Sequence, residues 1–445
     1  MIDVLSNRVY RHLFTAQVIA LVGTGLLTVA LGLLAYQLAG DRAGAVLGTA
    51  LAIKMIAYVV VAPIVGGFAG LLPRRAFLVA MDLVRAGIAL FLPFVTEIWQ
   101  VYVLIFLLQS ASAAFTPTFQ ATIPDVLPKE QDYTRALSLS RLAYDLESLL
   151  SPTLAAALLS VIGFHWLFAG TVVGFLASAA LVLSVLLPQP KQATATGGIY
   201  DKTTRGIRIY LATPRLRALL ALNLSVAAAG AMVIVNTIVI VRGLLGRSDS
   251  DVALALACFG GGSMAAALVL PRLLDRLADR TVMIPAAAAL GAILIGFASL
   301  VGAEGGIPWG ALLAAWALLG VGYSAILTPS GRLLRRSAEA ADRPALFAAQ
   351  FALSHACWLV TYPLAGWLGS SAGVPVTLTV LGAVTLLGTA LALRFWPAED
   401  PEVLAHDHSD LPHDHPHRLK HPVRNGRHAH AYMIDDLHRR WPSSN

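Results

Sequence analysis

The chain has almost no cysteine. Only Cys258 and Cys357 occur in 445 residues, both inside apolar runs, so neither a disulfide framework nor a CxxC metal motif can be built. Charge is scarce too. Charged side chains make up 13% of the sequence and hydrophobic ones 57%, whereas soluble domains carry about 25% charged residues. An ordinary soluble domain is excluded. No Gly-x-x-x-x-Gly-Lys-Ser/Thr loop occurs, so an ion gradient rather than ATP is the expected energy source. Nothing suggests covalent chemistry, and the chain does not read as an enzyme. The net charge of +7 is no nucleic-acid signal, because the basic residues are distributed by topology. The N-terminus lacks a small-residue cleavage site and its first apolar run is long enough to span, so a retained first helix is expected rather than a signal peptide.

What is present is a series of apolar runs long enough to cross a bilayer. Twelve spans are expected, at roughly 12–38, 44–71, 76–96, 98–120, 135–161, 164–188, 215–241, 250–271, 281–302, 308–333, 344–369 and 374–396. An even number puts both termini on one side. With that side cytoplasmic, all but six of the 32 Lys and Arg are cytoplasmic; Arg42, Arg242 and Arg247 lie outside and three more lie within spans. This follows the positive-inside rule. The expected location is therefore the cytoplasmic membrane, multi-pass, with both termini cytoplasmic. Four regions follow: a six-helix bundle over 1–188, a cytoplasmic linker over 189–214, a second six-helix bundle over 215–396, and a disordered His-rich tail over 397–445. In the linker, Ile199-Tyr200, Ile207, Ile209-Tyr210 and Leu211 alternate with Lys202, Arg205 and Arg208, the pattern of a basic amphipathic helix on the inner membrane face.

The halves echo one another. Thr116-Pro117 in span 4 matches Thr328-Pro329 in span 10, and Ser151-Pro152 in span 5 matches Tyr362-Pro363 in span 11, at nearly equal offsets. The loops after spans 2 and 8 end in Pro73-Arg74-Arg75 and Ala278-Asp279-Arg280. Two six-helix repeats rocking about a midplane site would give this pattern. On these features residues 10–396 resemble the major facilitator superfamily, which implies an all-α membrane fold of twelve transmembrane helices in two six-helix repeats. That family carries a Gly-x-x-x-Asp-Arg-x-x-Arg-Arg motif after span 2, which helps latch the cytoplasmic side. Gly66, Arg74 and Arg75 fit it, while Gly70 and Leu71 stand where the acid and a basic residue belong; the second repeat keeps the charges as Asp275, Arg276, Asp279 and Arg280. A narrower resemblance rests on Gln109 to Gln120, Ile123-Pro124-Asp125 and Arg135-Ala136-Leu137-Ser138 together with the tail. It points to the nickel-resistance exporters of the superfamily, related to siderophore and macrolide exporters.

Six ionisable residues fall within the spans: Lys54, Asp82, Arg85, Arg141, Asp145 and Glu147. Charges at membrane depth face a bundle interior or an aqueous cavity. Asp82 with Arg85 and Arg141 with Asp145 each share a helix face and suit structural ion pairs that pin their helices. Glu147 is rotated about 200° from Asp145 and has no basic neighbour on its own helix. It suits a proton carrier, with Asp145 as the alternative and Lys54 as a partner from across the bundle. His355, Cys357 and Asn223 are candidates for the substrate pathway, although a lone helix histidine is commonly an interhelical hydrogen bonder and a buried cysteine a small hydrophobe.

Nine of the twelve histidines lie in the tail: His406, His408, His413, His415, His417, His421, His428, His430 and His438. In extended chain the His-x-His pairs fall on one side, and Asp407, Asp410 and Asp414 add carboxylates. The first eight are the expected ligands. Such sites favour nickel, copper and zinc, and cytosolic Cu(I) would want thiolate or thioether sulfur, of which this tail offers only Met433. No permanently bound cofactor is expected; Ni2+, or Co2+ or Zn2+, would be both substrate and tail ligand. The expected partners are the lipid bilayer, a divalent ion and protons. The sequence thus reads as a proton-driven exporter of a divalent metal. A drug or siderophore exporter with a metal-sensing tail is the transport alternative. A non-transporting membrane metal sensor is a third possibility, against which the internal repeat and buried charges speak.

Overall fold

Backbone polar groups inside a bilayer must be satisfied within their own segment, so the apolar runs form helices. The computed structural model describes residues 2–445 except 40–42, 70–71, 190–198, 305–307, 402, 407–427, 436, 439 and 443–445. The first bundle contains α1 (Arg8–Ala39), α2 (Ala43–Ala69), α3 (Arg74–Phe91), α4 (Ile98–Val126), α5 (Glu130–Leu159) and α6 (His165–Leu183). The linker helix is α7 (Ile199–Ala212). The second bundle contains α8 (Pro214–Ile238), α9 (Asp249–Leu274), α10 (Asp279–Glu304), α11 (Trp309–Ser337), α12 (Arg343–Ser371) and α13 (Val374–Phe395). The twelve long helices correspond one to one with the twelve expected spans. Among the described residues ten are long and apolar enough to cross a membrane by length and composition alone. Helices α2 and α5 carry the in-span charges Lys54, Arg141, Asp145 and Glu147 and are packed within the same bundles.

The repeat is visible in chemical detail. Pro117 in α4 and Pro329 in α11 each remove a backbone donor, and the residue after each returns a hydroxyl to the carbonyl four positions back. Thr118 donates to Ala114 at 3.0 Å and Ser330 to Ile326 at 2.9 Å. Helices in lipid associate through close packing of small residues. A Cβ on Gly262 would lie 1.9 Å from the Ala317 carbonyl oxygen, and one on Gly320 1.9 Å from that of Phe259, so α9 and α11 meet backbone to backbone.

The bundles join where α2 packs on α12 and where α5 packs on α9 and α11. The even helix count puts both chain ends and α7 at one end of the molecule, the terminal face. There α7 packs against α2 and α12, with Ile209 and Tyr210 buried and Arg205 paired with Asp342 at 2.5 Å. The linker helix is therefore a wedge against protein as well as an amphipathic surface helix.

The described residues of the tail include a short hairpin. β1 (Val403–His406) pairs antiparallel with β2 (His428–Ala431), with His406 opposite His428. Tyr432 and Ile434 are buried in the same apolar core as Leu216, Ala338 and Trp396 of the second bundle. Apolar residues at the far end of the tail thus anchor it. His408, His413, His415, His417 and His421 lie outside the described residues.

Candidate functional site

Three clusters of polar chemistry stand out: a latch at the terminal face, a seam at mid-depth, and a histidine site in the tail. At the latch, Asp125 at the end of α4 accepts from Arg74 of its own bundle and from Arg343 at the start of α12, both at 2.6 Å. Arg332 of α11 binds Glu130 of α5 at 2.5 Å and Asp279 at 3.3 Å. Arg335 donates to the Pro128 carbonyl, and Tyr133 donates to that of Gly331 at 3.3 Å. These bonds tie the two bundles together at the terminal face. Gly70, where the motif expects an acid, lies outside the described residues. A Cβ on Gly66 would lie 2.2 Å from that of Ala348, so the motif's first glycine lets α2 rest on α12. Of the other expected gate residues, Arg75 and Arg280 are half-buried and Asp275 and Arg276 are exposed. The sequence could not reveal Arg343 or Glu130 as latch partners, because both reach across the bundles.

Asp82 and Arg85 pair as their spacing requires. Ser178 donates to Asp82 at 2.8 Å, and the Arg85 guanidinium lies between the rings of Phe115 and Phe175 at 4.1 and 4.5 Å. The cluster is confined to the first bundle and braces α3, α4 and α6.

Arg141 and Asp145 also pair, but this pair crosses to the second bundle. Ser263 of α9 donates to Asp145 at 2.7 Å and accepts from Arg141 at 3.2 Å, and the guanidinium lies 4.9 Å from the Tyr323 ring of α11. The run Gly260-Gly261-Gly262-Ser263 is the sequence signal that could have found this: glycines bring α9 close to α11 and leave one hydroxyl at the seam.

Glu147 sits apart from that knot, one helix face away. Among the described residues no hydrogen bond or ion pair holds it, and Lys54 of α2 acts on it electrostatically. A Cβ on Gly25 of α1 would lie 3.0 Å from Glu147 Oε1 and 1.9 Å from Ser151 Oγ, so only glycine admits these side chains between α1 and α5. Lys54 lies 5.6 Å from the Tyr58 ring, whose hydroxyl donates to Gln109 at 2.8 Å. Tyr58 meets the His355 ring edge-on at 4.7 Å. His355 Nδ1 bonds the Phe351 carbonyl at 2.7 Å, which leaves Nε2 as the lone-pair nitrogen. Lys54 is thus the electrostatic neighbour of both Glu147 in its own bundle and His355 in the second. Asn223 is not with them. It donates to Gln350 at 3.4 Å, as does Tyr210 of α7 at 2.5 Å. The Cys357 thiol is bonded to the Leu353 carbonyl at 3.5 Å. Tyr210 of α7 is a common neighbour of Asn223 and Cys357.

In the tail, His406, His430 and His438 each offer a ligand nitrogen, all within 4.8 Å of one another. His406 Nδ1 bonds the Leu404 carbonyl at 3.0 Å, His430 Nδ1 that of Ala431 at 2.8 Å, and His438 Nδ1 the Asp435 carboxylate at 2.9 Å. Each Nδ1 therefore donates, the outer-shell pattern of metal-binding histidine. The Nε2 atoms of His406 and His438 stand 3.1 Å apart, a separation held either by a proton shared between the rings or by a bound ion, since two nitrogens on one ion at 2.0–2.1 Å would be about 3.0–3.4 Å apart. Burial raises the Asp435 pKa, but bonds from the His438 ring and from the backbone of 437 and 438 outweigh it and hold the carboxyl below its usual range. His406 and His430 were expected ligands; His438 was not, because it is brought in from 32 residues away by the hairpin. His428 contributes backbone pairing to β2.

The profile of the Major Facilitator Superfamily matches residues 13–303 and 220–428. Macrolide efflux protein A of Streptococcus pyogenes is 24% identical over 182 residues, 40% of this chain and 44% of the relative. That of Enterococcus faecalis is 26% identical over 153 residues, 32% and 47%. The matched part spans less than half the length of these curated relatives. Among solved structures, a human organic anion transporter superposes with a TM-score of 0.72 at 14% identity, covering 86% of this chain and 99% of its own. A bacterial homologue of the iron transporter ferroportin in an outward-facing state gives 0.72 at 14% identity, covering 87% and 99%. The Escherichia coli fucose:proton symporter gives 0.68 at 14% identity, covering 87% and 98%. At these identities the likeness is one of fold.

Proposed function

The chain belongs to the Major Facilitator Superfamily, and on that premise we propose that it exports a divalent transition-metal ion, nickel first, from the cytoplasm in exchange for protons. The observation that carries this reading is the tail site, where three imidazoles each offer a ring nitrogen within 4.8 Å of the others and each bond an acceptor through Nδ1. Imidazole sets of this kind select nickel, cobalt and zinc over magnesium and calcium. The concentration of Lys and Arg at the terminal face supports a cytoplasmic placement of that face, and with that placement a latch closed there would correspond to an outward-facing state.

The coupling step is assigned to Glu147. Asp145 is already bound by Arg141 and Ser263, whereas Glu147 has no hydrogen bond or ion pair among the described residues and lies in the field of Lys54. In the empty carrier the Lys54 ammonium neutralises the carboxylate. A divalent ion arriving from the cytoplasm displaces it and takes Glu147, with His355 Nε2 as the ligand from the second bundle. After rocking, a proton from outside converts Glu147 to the neutral acid, which holds a cation poorly, and the ion leaves. The proton is released inward on the return.

A second reading, export of an organic compound, is favoured by the aromatic groups at the seam. Phe259 meets Tyr323 at 5.3 Å, and Trp358 meets Tyr362 at 4.8 Å. Everted membrane vesicles decide between them. Nickel uptake driven by a proton gradient supports metal export; uptake of a lipophilic organic cation without nickel uptake refutes it and moves the assignment to the second reading.

A further inference from the structure

The tail is fastened to the helix end that closes the terminal face. Asp400 accepts from Arg215 at 3.0 Å, pairs with Arg336, and accepts from the Trp396 indole at 3.1 Å. Arg215, with a side chain 2% exposed, also donates to Ser337 Oγ at 2.8 Å and to the Arg336 carbonyl at 3.1 Å, gripping the last residues of α11. Trp441 lies over the Arg215 guanidinium at 5.1 Å and against Tyr432 at 5.2 Å. Tyr432 in turn meets the rings of His406 and His438 at 4.8 and 4.7 Å. One continuous set of contacts therefore runs from the three imidazoles to α11, whose Arg332 and Arg335 hold Glu130 and Pro128 of the other bundle.

We propose that the His406–His430–His438 site is a regulatory clamp: a transition-metal ion bound there fixes the tail on α8 and α11 and holds the terminal face closed. The ligands come from two strands and a turn, so an ion joining them binds only the ordered tail and shifts the population toward it. The last carbonyls of a helix have no partner within it. Arg215 supplies one for Arg336, and a last turn held in register keeps Arg332 and Arg335 aimed across the bundles. Cytoplasmic metal thus biases the carrier toward the state in which its cargo site faces outward. The clamp rests on reading the tail as a metal site, and it does not require the bound ion to be the cargo.

Hydrogen-exchange mass spectrometry on the full chain in lipid nanodiscs, with and without Ni2+, tests this. Nickel at roughly ten times its Kd should slow exchange about tenfold at 428–438 and also at 331–337. Trp441→Ala, which keeps the three imidazoles, should retain the tail protection and lose that at 331–337; His438→Ala should lose both. Protection of the tail with 331–337 unchanged in the unmutated protein overturns the clamp and leaves the metal site standing. Absence of nickel-dependent protection anywhere overturns the site itself. Either result is independent of nickel flux into vesicles, so failure of the export reading shows separately.

Discussion

At the scale of single residues, two carboxylates two positions apart on α5 have opposite situations. Asp145 is bound by Arg141 and Ser263 and joins the bundles; Glu147 is held by no bond among the described residues and faces Lys54. Substituting them should therefore have different consequences. Asp145→Asn leaves Arg141 without its charge partner, and breaking a buried pair costs about 3–5 kcal/mol, so a lower melting temperature in detergent is expected. Glu147→Gln should melt near the unmutated protein yet lose exchange. In the tail, Asp435 fixes the His438 ring, and losing such a support weakens metal binding about 10- to 100-fold. Titration of Asp435→Asn with nickel checks this. The intrahelical pairs were legible in the sequence because a helix fixes which residues share a face. Ser263, Tyr323, Arg343 and His438 were not, since each acts on a partner brought near only by tertiary packing.

Among the elements, the helices follow the apolar runs closely and differ mainly at the terminal face. α4 runs on to Val126 and α11 to Ser337, past the apolar limits of 120 and 333, because the latch gives their polar last turns partners. Hydropathy cannot register a helix end stabilised by another bundle. It also gave the tail no structure, since four-residue strands interrupted by a long His-rich segment carry no period. Close approach is the other property of elements. Gly25→Ala would put a methyl 1.9 Å from Ser151 Oγ and 2.3 Å from its Cβ, forcing α1 from α5 at a cost of about 1–3 kcal/mol. Thermal unfolding should show the loss, and Gly25→Ala combined with Ser151→Gly should recover most of it.

For the whole molecule, a few charged bonds tie the two bundles together at the terminal face. Asp125 is its centre, bound from both bundles at once. Hydrogen bonds to charged groups are worth about 1.5–3 kcal/mol, so Asp125→Asn should shift the population measurably toward opening at that face. Spin labels near the start of α5 and the end of α11 would report a longer distance component growing in that variant. The central claim is that metal and proton movement are coupled through Glu147. Its most direct test is purified protein in proteoliposomes containing a pH-sensitive dye, with Ni2+ added on one side and no other gradient. The account predicts nickel entry accompanied by proton exit, both abolished by Glu147→Gln. Nickel-independent proton movement, or exchange undiminished in Glu147→Gln, would contradict it.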